Sequence, residues 1–112
     1  MSRSSITTEV PSMSRPINNL RAVHPGEILR EEFLLPLQLS ITALARALDV
    51  PPTRLHAIVH ETRGVTADTA VRLARHFGGD AASWLALQAE YDLKTLPTRQ
   101  EIERRVQPRE AA

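Results

Sequence analysis

Residues 41–60 read ITALARALDVPPTRLHAIVH, and the placement of apolar side chains in this stretch decides the fold. Leu44 and Leu48 recur at helical spacing, Leu55 and Ile58 do so again beyond Pro51 and Pro52, and Val50 lies between the two sets. Side chains three and four apart share one face of a helix. The pattern therefore predicts two short helices, over residues 41–48 and 52–60, each burying one face against a common core. Ala45 supplies a small side chain where two steeply crossing helices must approach, and a bulky residue there would push them apart. Asp49 has to carry the turn. Glycine is usual where the backbone enters the left-handed region, and Asp is among the few other residues that tolerate it. Two such helices joined by a tight turn make a helix-turn-helix.

With Leu55, Ile58 and Val59 facing inward, Thr53, Arg54, His56, Ala57 and His60 are left on the outside of the second helix. In a helix-turn-helix these N-terminal and outward positions enter the DNA major groove. Arg54 is the strongest candidate for base recognition, because its forked guanidinium can donate two hydrogen bonds to guanine O6 and N7. Thr53 and His60 suit a phosphate or a base, and Ala57 a thymine methyl. A phosphate contact or an intramolecular salt bridge is nearly as good an account of Arg54, since most protein–DNA hydrogen bonds go to the backbone. Arg63, in the loop before the next helix start, combines a cation with free N–H groups and suits a DNA phosphate. His56 and His60 are also an i, i+4 imidazole pair of the kind that binds zinc. The segment HAIVHE, however, matches neither HExxH nor HxxEH, and no third ligand is evident, so no metal and no cofactor are expected. Ser40 and Ser83 read as helix-start residues, no Gly-rich phosphate loop is present, and no enzyme constellation emerges.

Upstream, His24-Pro25-Gly26-Glu27 opens a helix: Pro25 suits the first helical position, and Glu27 favours the positive end of the helix dipole. Ile28, Leu29, Phe33 and Leu34 form its inward stripe. Glu27, Glu31 and Glu32 lie outside as a solvated face or a docking patch for a basic partner. Pro36 is expected to end this helix, because its ring clashes with the carbonyl four residues back, leaving LLPLQL (residues 34–39) as an apolar connector packed over the core. Ser40 then caps the first helix of the central motif. Downstream, Thr66 caps a helix over residues 67–77 with Ala70, Val71, Leu73, Ala74 and Phe77 inward, and Gly78 and Gly79 end it. Asp80 caps a fifth helix, from residue 81 to about residue 94. Its Trp84, Leu85, Leu87, Gln88 and Tyr91 fit core packing and a dimer face equally, because aromatics are enriched at interfaces. Past Pro97, residues 98–106 make one more charged helix, with Ile102 and Val106 as its only apolar ridge.

Residues 1–22 are rich in Ser, Thr, Arg and Pro without a sustained period and read as a flexible arm. Residues 23–96 form the domain, and residues 97–112 a short helical tail. A chain of 112 residues is one domain in length, and so small a core favours a partner or a dimer. The absence of cysteine excludes disulfides and Cys-ligated zinc and is compatible with a reducing cytosol. No run approaches the roughly 18 apolar residues of a membrane span, and the first 20 residues lack the apolar core of a secretory signal. A cytoplasmic protein without membrane contact is expected. The net charge of +1 hides an asymmetry. Residues 41–76 hold Arg46, Arg54, Arg63, Arg72 and Arg75 against Asp49, Glu61 and Asp68, whereas residues 22–96 as a whole carry nine acidic and seven basic side chains. A modest basic face on an acidic body is too weak, by itself, to argue for nucleic acid.

The segments HPGEILREEFL, the helix-turn-helix, RGVTADTAVRLARHFG and SWLALQAEYDL, in this order and spacing over residues 24–94, resemble HigA-type antitoxins of the lambda-repressor-like (XRE-type) helix-turn-helix class. The resemblance implies an all-α, five-helix domain. It also implies a homodimer that binds a palindromic operator in its own promoter, double-stranded DNA being one partner. The other partner it implies is a HigB-type toxin, an RNase that cleaves mRNA at the ribosome, which the antitoxin neutralises. Carried onto this chain, the family's groove-facing helix falls on residues 52–60 and its phosphate loop on Arg63 and Gly64. The expected DNA surface is Thr42, Pro52, Thr53, Arg54, His56, Ala57, His60, Arg63 and Gly64. Two positions depart from the family: Ile41 stands where many members open the first motif helix with Gln, which removes a supporting bond, and Asp49 stands in place of the turn glycine. A free-standing repressor without a toxin is the alternative.

Overall fold

The structure, a computed structural model, describes residues 21–110. The expected N-terminal arm, apart from Arg21 and Ala22, lies outside the described residues. Within them the chain is all helical. Helix α1 runs continuously through the segments Pro25–Ile28, Leu29–Leu34 and Leu35–Leu37, and is followed by α2 (Ile41–Leu48), α3 (Pro52–Val59), α4 (Ala67–Phe77), α5 (Ala81–Thr95) and α6 (Arg99–Arg105). The five-helix expectation holds for α1 to α5, and α6 is the short helix expected of the tail.

Four of the helix starts are set by a local side-chain cap. Ser40 Oγ accepts from Ala43 N at 3.0 Å, Thr66 Oγ1 from Thr69 N at 3.5 Å, and Asp80 Oδ1 from Ser83 N at 2.8 Å. These bonds satisfy N–H groups that the first turn leaves without partners. Helix α1 is capped by His24, whose Nδ1 accepts from Gly26 N at 2.8 Å while Pro25 occupies the first turn. Three helices end in a Schellman turn on a residue other than glycine. Gln38, Asp49 and Glu61 sit at φ 52°, 59° and 65°. In each case the following N–H closes back over the last turn, as Leu39 N to Leu34 O (2.9 Å), Val50 N to Ala45 O (3.0 Å) and Thr62 N to Ala57 O (2.9 Å).

Pro36 does not end α1. The helix passes through it because residues Leu29–Leu34 form a π turn, in which Leu35 N donates to Arg30 O, five residues back. The wider turn absorbs the proline's missing donor and moves the upstream carbonyls away from its ring. The expected apolar connector is therefore the last turn of a helix, and only part of it packs: Leu34 is buried and Leu39 half-buried, while Leu35 and Leu37 are 62% and 58% exposed.

The core is where α1 to α5 converge. Leu29, Leu34, Leu44, Ala45, Leu48, Val50, Leu55, Ile58, Val59, Val65, Ala70, Leu73 and Trp84 form one buried cluster. Ala45 is fully buried where α2 meets its neighbours, as its size requires. At Gly26 the backbone of α1 lies so close to α3 that an added Cβ would strike the carbonyl group of Ile58. Arg30 reinforces the same crossing, its Nη1 donating to Val59 O at 2.6 Å and its Nη2 standing 3.5 Å from Glu61 Oε2. On α4 the inward stripe is shifted from expectation. Val71 is 57% exposed, and Thr69 is buried instead, beside Ala70 and Leu73.

Candidate nucleic-acid interface

The helix-turn-helix of α2 and α3 is held rigidly from behind and left open in front. Behind it, Leu44, Leu48, Leu55, Ile58 and Val59 are buried. In front, Thr42 on α2 and Pro52, Thr53, His56 and His60 on α3 are exposed, while Arg54 and Ala57 are half-buried at the edge of that face. Helix α3 starts after Pro51 with no side-chain cap, so the positive end of its dipole faces outward unneutralised. Positions 53, 56 and 60 lie three and four residues apart and make one ridge, of a size that a major groove admits.

His56 and His60 stack with ring centroids 6.0 Å apart and an interplanar angle of 17°. His60 Nδ1 lies 2.8 Å from His56 O, which locks its ring against the helix end. Among the described residues no group of three or more His, Cys, Asp or Glu is placed to hold a metal ion, and both rings are exposed.

Arg54 is not a free side chain. Its Nη1 donates to Asp68 Oδ1 at 2.8 Å and approaches Thr69 Oγ1 at 3.5 Å, so that α3 is tied to the start of α4. The same carboxylate oxygen accepts from Arg72 Nε at 2.6 Å, and Arg72 Nη1 reaches the turn carbonyls Leu48 O and Asp49 O at 2.8 and 3.0 Å. Hydrogen bonds from Arg72 and then Arg54 hold the Asp68 carboxyl below the usual aspartate range. By contrast, Arg46, Arg63 and Arg75 are exposed and form no ion pair among the described residues.

The loop that carries Arg63 is positioned by α5. Gln88 Oε1 accepts from Val65 N at 2.8 Å, its Nε2 donates to Asp92 Oδ1 at 2.9 Å, and Gly64 is packed so tightly on this amide that a Cβ would lie 2.9 Å from Gln88 Cδ. Gly64 thus makes a close approach inside the domain to the amide end of Gln88, and Gln88 is a loop support. Trp84 is likewise turned inward, buried with its ring centroid 5.6 Å from that of Phe33. Leu85 and Leu87 are half-buried against the core, and Tyr91 sits edge-on to His24 with centroids 4.8 Å apart. The residues expected on α5 therefore pack within the protomer, while Leu93, Leu96, Ile102 and Val106 are the apolar side chains left open toward the C-terminal end, at 57%, 42%, 44% and 65% exposure.

The same arrangement occurs in known proteins. The chain is 64% identical over 77 residues, 69% of its own length, to virulence-associated protein I of Dichelobacter nodosus, of which it covers 71%. It is 36% identical over 74 residues to antitoxin HigA-1 of Vibrio cholerae, covering 65% of this chain and 69% of that protein. Among solved structures, the Pseudomonas aeruginosa antitoxin HigA with the higBA promoter is 46% identical, covers 80% of this chain and all of that one (100%), and superimposes with a TM-score of 0.77. The chain belongs to the HigA-type antitoxin family of helix-turn-helix proteins. No protein-family model matches the chain, and the assignment to the HigA-type family rests on these relatives. Among the described residues no helix is long and apolar enough to cross a membrane.

Proposed function

We propose that this protein is a non-enzymatic antitoxin that represses its own operon by sequence-specific binding of a palindromic operator and neutralises a HigB-type toxin. The likeness to the Pseudomonas aeruginosa antitoxin HigA with its promoter, over the whole of that chain, carries the reading. The exposed ridge of Thr53, His56 and His60 on α3 would read the groove, Thr42 and Arg63 would bind flanking phosphates, and Arg54 would contact a base from the edge of the ridge. Two copies related by a two-fold axis would place their α3 helices in half-sites roughly 34 Å apart. The exposed side chains Leu93, Leu96, Ile102 and Val106 offer a second copy more apolar surface than the inward-turned Trp84 and Gln88.

Two experiments test the proposal. A gel shift with the DNA upstream of its own gene must show a retarded complex that excess random duplex does not remove. Co-expression with a small basic open reading frame adjoining the gene must rescue growth and yield a co-purifying complex. The alternative, a repressor without a toxin, is favoured by retardation without rescue or co-purification. Failure of both assays ends the assignment.

A further inference from the structure

We propose that Asp68, supported by Arg72, is a positioning residue that sets how Arg54 is presented to DNA, an inference that rests on the DNA-binding reading above. A single carboxylate oxygen, Asp68 Oδ1, accepts from Arg54 Nη1 at 2.8 Å and from Arg72 Nε at 2.6 Å. Arg72 Nη1 continues to Leu48 O and Asp49 O. Those carbonyls close α2 and begin the turn, where a helix end leaves acceptors short of partners and favours a cation. The carboxylate sits in the first turn of α4, where the dipole favours an anion. The recognition helix, the turn and α4 are thereby joined at one point, and none of the four groups involved depends on DNA to form it.

The consequence for Arg54 lies in which donors are spent. Nη1 is held by Asp68 and approaches Thr69 Oγ1, whereas Nε and Nη2 have no partner among the described residues. These two form the side-on edge of the guanidinium, a parallel pair of donors that matches guanine O6 and N7. An unrestrained arginine loses rotamer freedom when it docks; one already fixed at a corner has less to lose, so the correct base gains more from the contact. Electrostatics acts in the opposite sense, since Asp68 is an anion near the expected phosphates and repels all DNA alike. Asp68 therefore lowers general affinity and raises preference, and the two effects separate in measurement.

The experiment compares the full chain with Asp68→Ala, Asp68→Asn, Arg72→Ala, Arg54→Ala and the Arg54→Ala/Asp68→Ala double variant. Affinities are measured for the upstream operator DNA and for random duplex of equal length, with thermal melts of each variant. Asp68→Ala is expected to lose about fivefold to tenfold of the operator-to-random ratio while random-duplex affinity holds or rises. Asp68→Asn, which keeps an oxygen acceptor without the charge, should lose less, and Arg72→Ala should also lower the ratio. In the Arg54→Ala background, Asp68→Ala should lose nothing further. An unchanged ratio in folded Asp68→Ala or Asp68→Asn, or losses that simply add in the double variant, overturns the proposal. A wild-type chain that does not prefer the operator to random duplex overturns the DNA-binding reading and this inference with it. A wild-type preference that is undiminished in folded Asp68→Ala overturns this inference alone.

Discussion

Replacing Gly26 by alanine tests the close approach of the α1 backbone to the end of α3. The added Cβ would strike Ile58 O, lie 2.8 Å from Ile58 C, and stand 3.1 Å from His24 Nδ1. The obstructing atoms are main chain, and they are engaged: Ile58 O accepts from Glu61 N at 3.0 Å in the turn that ends α3. The carbonyl can move away only by opening that turn, so α1 must retreat and loosen Arg30 from Val59 O as well. Overpacking of this kind costs about 1–3 kcal/mol. An alanine in a helix recovers at most about 1 kcal/mol relative to glycine, and less in the first turn, where Gly26 lies. A net loss of about 1–2 kcal/mol corresponds to a melting temperature lower by about 5–15 °C for a domain of this size. The assay is urea and thermal unfolding followed by circular dichroism, with operator binding measured on the folded fraction. The displacement acts on the end of α3, so affinity should fall beyond what the unfolded fraction accounts for. A Gly26→Ala protein as stable as wild type, with unaltered affinity, would refute the claim that this approach sets the seat of α3.

Three further outcomes follow from named contacts. Arg63→Ala should weaken operator and random duplex by the same factor and lower the slope of log affinity against log salt by about one per protomer, measured between 50 and 200 mM salt; a loss confined to the operator would assign Arg63 to a base. His24 is buried with Nδ1 accepting from Gly26 N, and burial lowers its pKa against the opposing pull of Glu61, Asp92 and the Arg63 backbone. The unfolded chain thus binds the proton more readily, stability is complete above about pH 6.5 and declines as pH falls through the lower folded value, and His24→Asn, a cap that does not titrate, should flatten that part of the melting profile. Gln38→Gly should stabilise the domain by about 0.5 kcal/mol in urea unfolding, because the left-handed penalty relieved at φ 52° exceeds the added freedom of the unfolded chain; a destabilised variant would show that the Gln38 side chain does more than occupy the turn.

What could be read from sequence followed rules that act within a few residues. Ser40, Thr66 and Asp80 cap the helices they precede, Asp49 takes the left-handed turn, and Ala45 fills the crossing, because each is decided by its own turn and by one period of apolar spacing. The same period placed Thr53, His56 and His60 outside. Pro36 was misread because a proline's local clash can be absorbed by widening the turn before it, and that depends on α1 being pinned at Leu29 and Leu34 by the rest of the core. Val71 was misread because a residue at the border of an apolar stripe has no local signal to say which side it takes. Thr69, at the other border, is buried where its hydroxyl meets Arg54. Gln88, on α5, supports a loop 23 residues away in sequence, and no spacing rule reaches that far.

The charge on the candidate interface shows why this distinction matters for function. Counted along residues 41–76, Arg46, Arg54, Arg63, Arg72 and Arg75 are five equivalent cations. In the fold they divide. Arg54 and Arg72 share Asp68, and Arg72 also holds the turn carbonyls, so together with that carboxylate they supply one net charge and a fixed geometry. Arg46 and Arg63 remain exposed without ion pairs among the described residues and are the cations of the motif and its following loop that are free to displace counterions from a duplex. Counterion release scales with the phosphates neutralised, so the salt dependence of binding should reflect the small unpaired set and fall short of what five arginines per protomer would give. A slope as steep as the full count would mean that DNA pulls Arg54 and Arg72 off Asp68, and that the network seen here belongs to the free protein alone.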